Sequence, residues 1–215
     1  MFCTLYCTLF CTLQRNGTTF GDGISNSFTG ESNISLLDQA HTFNGMTSTH
    51  FAGNCGRIRG SADGFLPPFT LGKTDDDMPP SIEMFTHQAC RLMTYLKTDD
   101  PTSYHHGLPS LRYELDPMTF ANGSVHEDNS CFENNLPTGL QNNSYCGGEN
   151  VPIYLSFPHF YTADPYYRDQ FSNDSDLNPT KDQHGSFMNL DPVMSALTEF
   201  TFSLQLNIEI YQMPA

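Results

Sequence analysis

The sequence predicts an α+β protein that is mainly antiparallel β, with short helices and with strands long enough for a β-barrel-like sheet. Apolar residues alternate with other residues at 151–157 and at 200–210, which is the period of a strand with one buried face. The 14 Pro and 16 Gly are scattered along 215 residues, which indicates many turns between short elements. A hydrophobic content of 38%, with 17 Phe and 10 Tyr, is sufficient for a sizeable core.

The chain begins with a three-fold repeat of an aromatic residue followed by Cys-Thr-Leu, over residues 1–13. The repeat lacks the positive charge and the small-residue cleavage site of a signal peptide. It also lacks a second ligand cluster at the spacing of a metal site. We therefore expect residues 1–19 to be an unstructured segment that precedes the folded part of the chain, 20–215.

The clearest candidate for a helix lies between Ile82 and Leu96. Apolar residues recur there at the spacing of one helical face. They are Ile82, Phe85, Ala89, Leu92, Met93 and Leu96. We predict a helix over this stretch.

A strand is predicted at 151–157. Val151, Ile153, Leu155 and Phe157 alternate with other residues. Pro158 should end this strand, because proline has no N–H to donate to a neighbouring strand.

The longest alternating run is 200–210, and it predicts one long strand. One face carries Phe200, Phe202, Leu204, Leu206, Ile208 and Ile210. The other face is uniformly polar: Thr201, Ser203, Gln205, Asn207 and Glu209. The apolar face needs a covering layer or a barrel interior. Phe187 to Leu190, followed by Asp191-Pro192, is predicted to be the preceding strand of a hairpin.

Net charge argues against two classes of partner. The formal charge is −15, and the chain has only nine Lys and Arg, so a basic patch for nucleic acid or for an anionic membrane surface is not expected. No run reaches the roughly 18 apolar residues that a membrane-spanning helix needs. Such acidity is typical of a soluble region in a secreted or lumenal setting.

Cysteine usage indicates an oxidising compartment. Outside the N-terminal repeat the cysteines are Cys55, Cys90, Cys131 and Cys146, and four cysteines permit three pairings. Disulfides between them would belong to a secreted or lumenal protein. Sequons for N-glycosylation agree with that setting, at Asn16 and at the four positions that we expect to be used, Asn33, Asn122, Asn142 and Asn173.

Candidate catalytic and metal-binding residues are weak. His87, His105-His106 and Asp99-Asp100 could suggest a metal site, but adjacent histidines in a loop flanked by Pro and Gly rarely converge on one ion. Asp75-Asp76-Asp77 lacks the spacing of a calcium loop. His159 is better explained by a structural hydrogen bond than by ligand binding or pH sensing. With no nucleophile–base pattern, P-loop or dinucleotide fingerprint, the sequence predicts no enzyme and no cofactor.

A series of short motifs occurs in one order along the chain. Upstream members are Thr29-Gly30 with Asn33, Phe43-Asn44-Gly45, Pro67-Pro68-Phe69, Cys90-Arg91, Gly107-Leu108-Pro109, Arg112-Tyr113, Phe120-Ala121-Asn122 and Cys131-Phe132. Downstream members are Pro158-His159-Phe160, Ala163-Asp164-Pro165, Leu177-Asn178-Pro179 and Asp191-Pro192. This ordered series resembles the class B scavenger receptor family over roughly residues 20–213. In that family it occupies the second half of the ectodomain.

The resemblance implies further expectations. Residues 1–19 would be a non-family segment, and 20–215 would be part of a β-barrel-like ectodomain. The family pattern pairs Cys55 with Cys131 and Cys90 with Cys146. It implies a scavenger-type receptor or transporter that binds lipids, fatty acids or lipoproteins, attached to a membrane through helices missing from this chain. Its ligand-contacting residues cannot be carried over, because they lie mainly in the other half of the ectodomain.

Two other functions fit the same sequence. One is a lysosomal integral membrane protein that acts as a trafficking receptor for a lumenal protein. The other is a secreted β-protein stabilised by disulfides. The expected location is the extracellular side of the plasma membrane or the lumenal side of the lysosomal membrane.

Overall fold

The computed structural model describes residues 2–8, 23–62, 66–67, 78–99, 103–105, 107–132, 135–146, 152–171 and 177–209. These residues form twelve strands and two one-turn helices. The strands are β1 (Phe2–Thr8), β2 (Ser25–Ser27), β3 (Ala40–Phe43), β4 (Ser81–Thr86), β5 (Arg91–Lys97), β6 (Ser103–His105), β7 (Leu108–Leu115), β8 (Gln141–Asn142), β9 (Ile153–Ser156), β10 (Phe187–Leu190), β11 (Leu197–Thr201) and β12 (Ser203–Glu209). The helices are α1 (Pro165–Arg168) and α2 (Lys181–His184). No helix in the described ranges is long and apolar enough to cross a membrane.

The strands pair in antiparallel fashion in three sheets. A four-stranded sheet has the order β1-β12-β9-β8. A six-stranded sheet has the order β11-β10-β7-β5-β4, with β6 beside β7, and β2 pairs with β3 in a small third sheet. The mainly antiparallel β class with short helices, predicted from the sequence, is confirmed.

One large hydrophobic cluster joins the two larger sheets. It contains Met93, Tyr95 and Tyr113 from the six-stranded sheet, and Leu155 and Leu204 from the four-stranded sheet. Burial of each such side chain stabilises the fold by about 1.5–3 kcal/mol. The sheets therefore share one core.

Two predicted strands are confirmed. β9 lies within the alternating run at 151–157, and the next residue after Phe157, Pro158, begins the 3-10 turn Pro158–Phe160. β10 coincides with the predicted Phe187 to Leu190 and forms a hairpin with β11.

The single strand predicted over 200–210 is wrong, because the run divides between two sheets. β11 ends at Thr201 and pairs with β10, whereas β12 starts at Ser203 and pairs with β9 and β1. The alternation continues through the break because Phe202 stays buried in the shared cluster. Hydrophobic period alone does not show where a chain passes from one sheet to the next.

The helix predicted from Ile82 to Leu96 is also wrong. The stretch is the β4–β5 hairpin, with Ile82 opposite Tyr95 and Phe85 opposite Leu92. Ile82 belongs to the main cluster, but Phe85 packs with Ala40 and Ile58 on the other side of the sheet. Because the hairpin is covered on both faces, its apolar residues do not alternate strictly, and their spacing imitates a helical stripe.

The turn of this hairpin carries no Gly or Pro. Cys90 adopts a left-handed conformation with φ of 50°, and its disulfide to Cys146 holds the turn against neighbouring loops. A non-glycine residue in this conformation is uncommon, so turn propensity did not indicate the reversal.

The N-terminal repeat contains a strand where an unstructured segment was expected. β1 pairs with β12 over seven residues, from Phe2 opposite Glu209 to Thr8 opposite Ser203. Aromatic residues and threonine have high strand propensity, and β12 offers an edge for pairing. The division of the chain at residue 20 remains a prediction.

Within the described residues two disulfides form, and they are the pairs that the family resemblance implies. Cys55 is bonded to Cys131 and Cys90 to Cys146, with Cα separations of 5.8 and 5.6 Å. The two loops interlace, since Cys90 lies inside the first loop. On the chain-entropy model each loop would contribute about 4 kcal/mol.

Arg91 forms hydrogen bonds that link the two disulfide loops. Its guanidinium donates hydrogen bonds to the Thr119 carbonyl (2.7 Å), Gln141 Oε1 (2.6 Å) and Asn129 Oδ1 (3.2 Å). It also lies 4.0 Å from the centre of the Phe132 ring. Burial lowers the pKa of this guanidinium, so the neutral oxygens around it are needed to solvate its charge.

Candidate functional site

One face of β12 is apolar and runs from the core to the surface. Successive side chains of a strand point to opposite sides of the sheet, so Leu204, Leu206 and Ile208 of β12 share one side, and Phe202 precedes them just before the strand begins. Phe202 and Leu204 are buried in the main cluster. Leu206 is half-buried, and Ile208 is 41% exposed. Burial therefore decreases along the strand from Leu204 to Ile208.

β9 widens this apolar surface. Leu155 lies opposite Leu206, and Ile153 lies opposite Ile208, and directly opposite residues of a ladder share a face. Leu155 is buried, whereas Ile153 is half-buried. We call Ile153, Leu155, Leu206 and Ile208 the apolar strip.

The other face of β12 is polar, and it is buried as well. Ser203, Gln205 and Asn207 are 8%, 1% and 0% exposed. Together with Ser156 of β9, which is 0% exposed, we call them the buried polar cluster. An amide buried without partners would cost about 1–3 kcal/mol, so their hydrogen bonds decide whether this face is stable.

Hydrogen bonds link three members of the buried polar cluster, Gln205, Asn207 and Ser156, to each other. Gln205 Nε2 donates to Asn207 Oδ1 (2.8 Å). Asn207 Nδ2 donates to Ser156 Oγ (3.0 Å) and to the Tyr154 carbonyl (3.4 Å). Ser203 N–H donates to Ser186 Oγ (2.9 Å). The side chains of Gln205, Asn207 and Ser156 therefore form a connected network inside the fold, and Ser203 is held beside it through its main-chain bond to Ser186.

The 3-10 turn Pro158–Phe160 caps this network. The main-chain N–H of His159 donates to Gln205 Oε1 at 2.8 Å. His159, Phe160 and Thr162 have positive φ of 53°, 55° and 61°, and each such residue costs of order 1–3 kcal/mol of backbone strain. The structural hydrogen bond expected of His159 thus comes from its backbone.

The His159 ring packs on a second histidine. The ring centroids of His159 and His184 are 4.3 Å apart. His184 is buried at the end of α2, where its Nδ1 accepts a hydrogen bond from Thr180 N–H (2.9 Å). This pair fixes α2 against the turn.

The next motif, Ala163-Asp164-Pro165, starts α1. Asp164 Oδ1 accepts a hydrogen bond from Tyr166 N–H (2.8 Å), and proline is favoured at the first helical position. Ala163 packs directly on Gly139, whose φ is 108° and where any Cβ would collide with the Ala163 side chain. Both the conformation and the close approach require glycine at 139.

Ala163 and Leu177-Asn178-Pro179 lie on one surface cavity of about 440 Å³. Two motifs separated in sequence are thus brought together. Asp191 of the last motif lies elsewhere, in the β10–β11 turn, where its Oδ1 accepts hydrogen bonds from Val193 and Met194 N–H (2.9 and 2.7 Å).

The structure places three of the four expected glycosylation sites. Asn33 is exposed, and its Oδ1 accepts a hydrogen bond from Ser35 N–H (3.0 Å). Asn122 and Asn142 are half-buried, and the Oδ1 of each accepts a hydrogen bond of 2.7 Å from the serine two positions later. Asn173, like Asn16, lies outside the described residues.

The weak metal candidates are not brought together in the described part of the chain. No three His, Cys, Asp or Glu side chains converge there in a way that could hold a metal ion. His87 stacks on Phe43 at 5.8 Å. His106, Asp100 and Asp75 to Asp77 lie outside the described residues.

Sequence reasoning did not identify the buried polar cluster. One signal was present: Ser203, Gln205 and Asn207 are polar but uncharged, and the face carries a charge only at its end, at Glu209. A face in contact with water usually carries Lys, Arg, Asp or Glu. Amides and hydroxyls without charges are the polar groups that hydrogen bonds can satisfy inside a protein.

Comparisons with known proteins agree with the family resemblance that the motifs carry. The family model described as the CD36 family matches residues 7–215. The chain is 34% identical to protein peste of Drosophila melanogaster over 182 residues, 83% of this chain and 31% of that protein. It is 30% identical to scavenger receptor class B member 1 of Sus scrofa over 190 residues, covering 87% and 35%. With human lysosome membrane protein 2 it shares 29% identity over 204 residues, covering 92% and 39%. The chain spans about a third of the length of these relatives.

Proposed function

The chain belongs to the CD36 family, and from that premise we propose that it forms part of a scavenger-type receptor or transporter for lipids, fatty acids or lipoproteins. The observation that carries the proposal is the apolar strip, which continues the core out to a surface where Ile208 is 41% exposed. An apolar surface continuous with a core suits contact with a hydrophobic ligand. Several relatives are named scavenger receptor class B member 1, which supports a receptor role over an enzyme.

The same proposal includes the setting of the receptor. We place the chain on the extracellular side of the plasma membrane or the lumenal side of the lysosomal membrane. Two disulfides support an oxidising compartment. We also propose N-glycans at Asn33, Asn122, Asn142 and Asn173, which suit such a compartment.

A second candidate is a lysosomal membrane protein that acts as a trafficking receptor for a lumenal protein. The match to human lysosome membrane protein 2 favours it, because that match covers 92% of the chain. The ligand of such a receptor would be a protein, so a lipid-binding measurement separates the two candidates.

Titration of the oxidised 215-residue chain with a fluorescent fatty acid tests the lipid-binding proposal. Replacing Ile208 by Asn should weaken binding about fivefold, the equivalent of about 1 kcal/mol of lost apolar contact. Val125→Asn is the matched control, because Val125 is 56% exposed and lies outside the apolar strip. Absence of binding by the wild-type chain, or equal weakening in both variants, would contradict the proposal.

A further inference from the structure

Arg168 lines the surface cavity formed by Tyr161, Thr162, Ala163, Leu177, Asn178 and Pro179. The arginine is half-buried at the end of α1. Its Nη1 donates one hydrogen bond, to the Phe160 carbonyl at 3.3 Å. Among the described residues it has no other hydrogen-bond acceptor and no carboxylate within ion-pair distance, although a guanidinium carries five N–H donors.

Other basic side chains of the described chain are partnered differently. Arg59 pairs with Glu83 at 2.9 Å, and both Arg112 and Lys181 pair with Glu114, at 3.2 and 2.6 Å. Arg91 is enclosed by neutral oxygens. Arg168 combines partial burial, a cavity and donors that no described residue engages.

The backbone around the cavity is held in an unfavourable conformation. Phe160, whose carbonyl receives the Arg168 hydrogen bond, and Thr162, which lines the cavity, both have positive φ. Strain of this kind persists only when the surrounding structure imposes it, and it clusters at ligand sites. Phe160 is tightly enclosed here, because its ring stacks on Tyr167 at 5.5 Å and both residues are 0% exposed.

We propose that Arg168 and this cavity form a binding site for a carboxylate or phosphate group. A guanidinium matches both oxoanions in a two-pronged geometry. Thr162 and Asn178 add polar groups to the rim, while Tyr161, Leu177 and Pro179 offer apolar surface beside the charge. Asp164 and Asp169 lie nearby in sequence, but Asp164 is engaged by Tyr166 N–H.

This site goes beyond the proposed function, because a small soluble oxoanion is sufficient to occupy it. Two sources of the group are possible: a free anion, or the headgroup of an amphiphile whose chain lies on the apolar wall. The probes that separate them are inorganic phosphate, acetate and hexanoate, with hexan-1-ol as the uncharged counterpart of hexanoate.

Calorimetric titration of the oxidised 215-residue chain at constant chloride tests the site. Wild type should bind phosphate and hexanoate but not hexan-1-ol. Arg168→Gln should weaken this binding at least about tenfold, which is the lower end for hydrogen bonds to charged groups. Arg168→Lys should retain part of it, because the charge remains and the fork is lost. Arg57→Gln is the matched control, since Arg57 is exposed and lies outside the cavity.

A second variant keeps the test decisive if Arg168→Gln folds poorly. Leu177→Glu places a carboxylate on the cavity wall and should abolish oxoanion binding while Arg168 remains. Hexanoate binding much tighter than acetate and phosphate assigns the site to an amphiphile headgroup, and equal affinities assign it to a small oxoanion. Wild type that binds neither oxoanion, or Arg168→Gln that binds like Arg57→Gln, overturns the proposal.

Discussion

On one face of β12 the buried polar cluster is enclosed by the turn Pro158–Phe160, and on the other face the apolar strip emerges from the core. Asn207 is 0% exposed, whereas its neighbour Ile208 is 41% exposed. The usual relation between polarity and burial is therefore reversed between two adjacent residues. A polar side chain is stable inside when each of its groups has a partner, and an apolar one is commonly tolerated at the surface.

The largest expected change in stability comes from a substitution in the buried polar cluster. Asn207→Ala removes the acceptor of Gln205 Nε2 and the donor to Ser156 Oγ. We expect it to lower the free energy of unfolding by about 2–4 kcal/mol, because two buried partners lose hydrogen bonds. Denaturant unfolding of the oxidised chain measures the change.

Ile208→Ala is the matched variant on the opposite face. It should cost less than about 1 kcal/mol, because a side chain that is already exposed loses little burial. If the two variants lose equal amounts of unfolding free energy, the buried polar cluster contributes no more to stability than the apolar strip. The two faces of β12 would then not differ in this respect.

Periodicity could predict the strands but could not assign them to sheets. The alternation at 151–157 and the position of Pro158 lead directly to β9, because the apolar residues of that strand lie on one face and Leu155 is buried there. At 200–210 the same alternation spans the break at Phe202, since both sheets contribute to one core. At Ile82 to Leu96 burial on both faces of the hairpin removed the strand period altogether.

The buried polar cluster depends on contacts that are distant in sequence. Gln205 Oε1 meets the His159 N–H, 46 positions earlier, and Asn207 meets Ser156 across 51 positions. Periodicity describes neighbours in the chain and contains no information on such pairs. The oxoanion cavity is similar, because Arg168 is one isolated arginine in the sequence and only the fold places it beside Leu177.

An intermediate effect is expected at the outer edge of β12. Deleting residues 1–13 removes β1 and leaves the main-chain groups of β12 unpaired along that edge. We expect a loss of about 1 kcal/mol, a fall in Tm of about 2–4 °C, and concentration-dependent self-association seen by analytical ultracentrifugation. The deletion should destabilise the polar and the apolar face of β12 equally, because the hydrogen bonds between β1 and β12 hold the main chain of the whole strand.

The matched control replaces residues 9–13 by a Gly-Ser linker and keeps β1. It should retain the Tm and the monomeric state of the full chain. If the deletion changes neither quantity, the N-terminal repeat does not contribute to the sheet, and residues 1–19 are the unstructured segment that the sequence predicts.

The smallest effect concerns alkaline pH and distinguishes the two faces by chemistry. The core beneath Phe202 and Leu204 contains Tyr95 and Tyr113. Burial raises the pKa of Tyr113 to about 12 and that of Tyr95 further, while a tyrosine in an unfolded chain titrates near pH 10. The unfolded state therefore loses these protons first, so the stability that they contribute is complete below about pH 10 and decreases as the pH rises towards about 12. Tyr113→Phe should reduce this alkaline loss of stability and remove one phenolate from the ultraviolet titration.

The amides and hydroxyls of the buried polar cluster do not titrate in that range, so Asn207→Ala should shift the unfolding free energy by the same amount at neutral and at alkaline pH. A cost of Asn207→Ala that changes between those pH values would show that the two faces of β12 are coupled through the core.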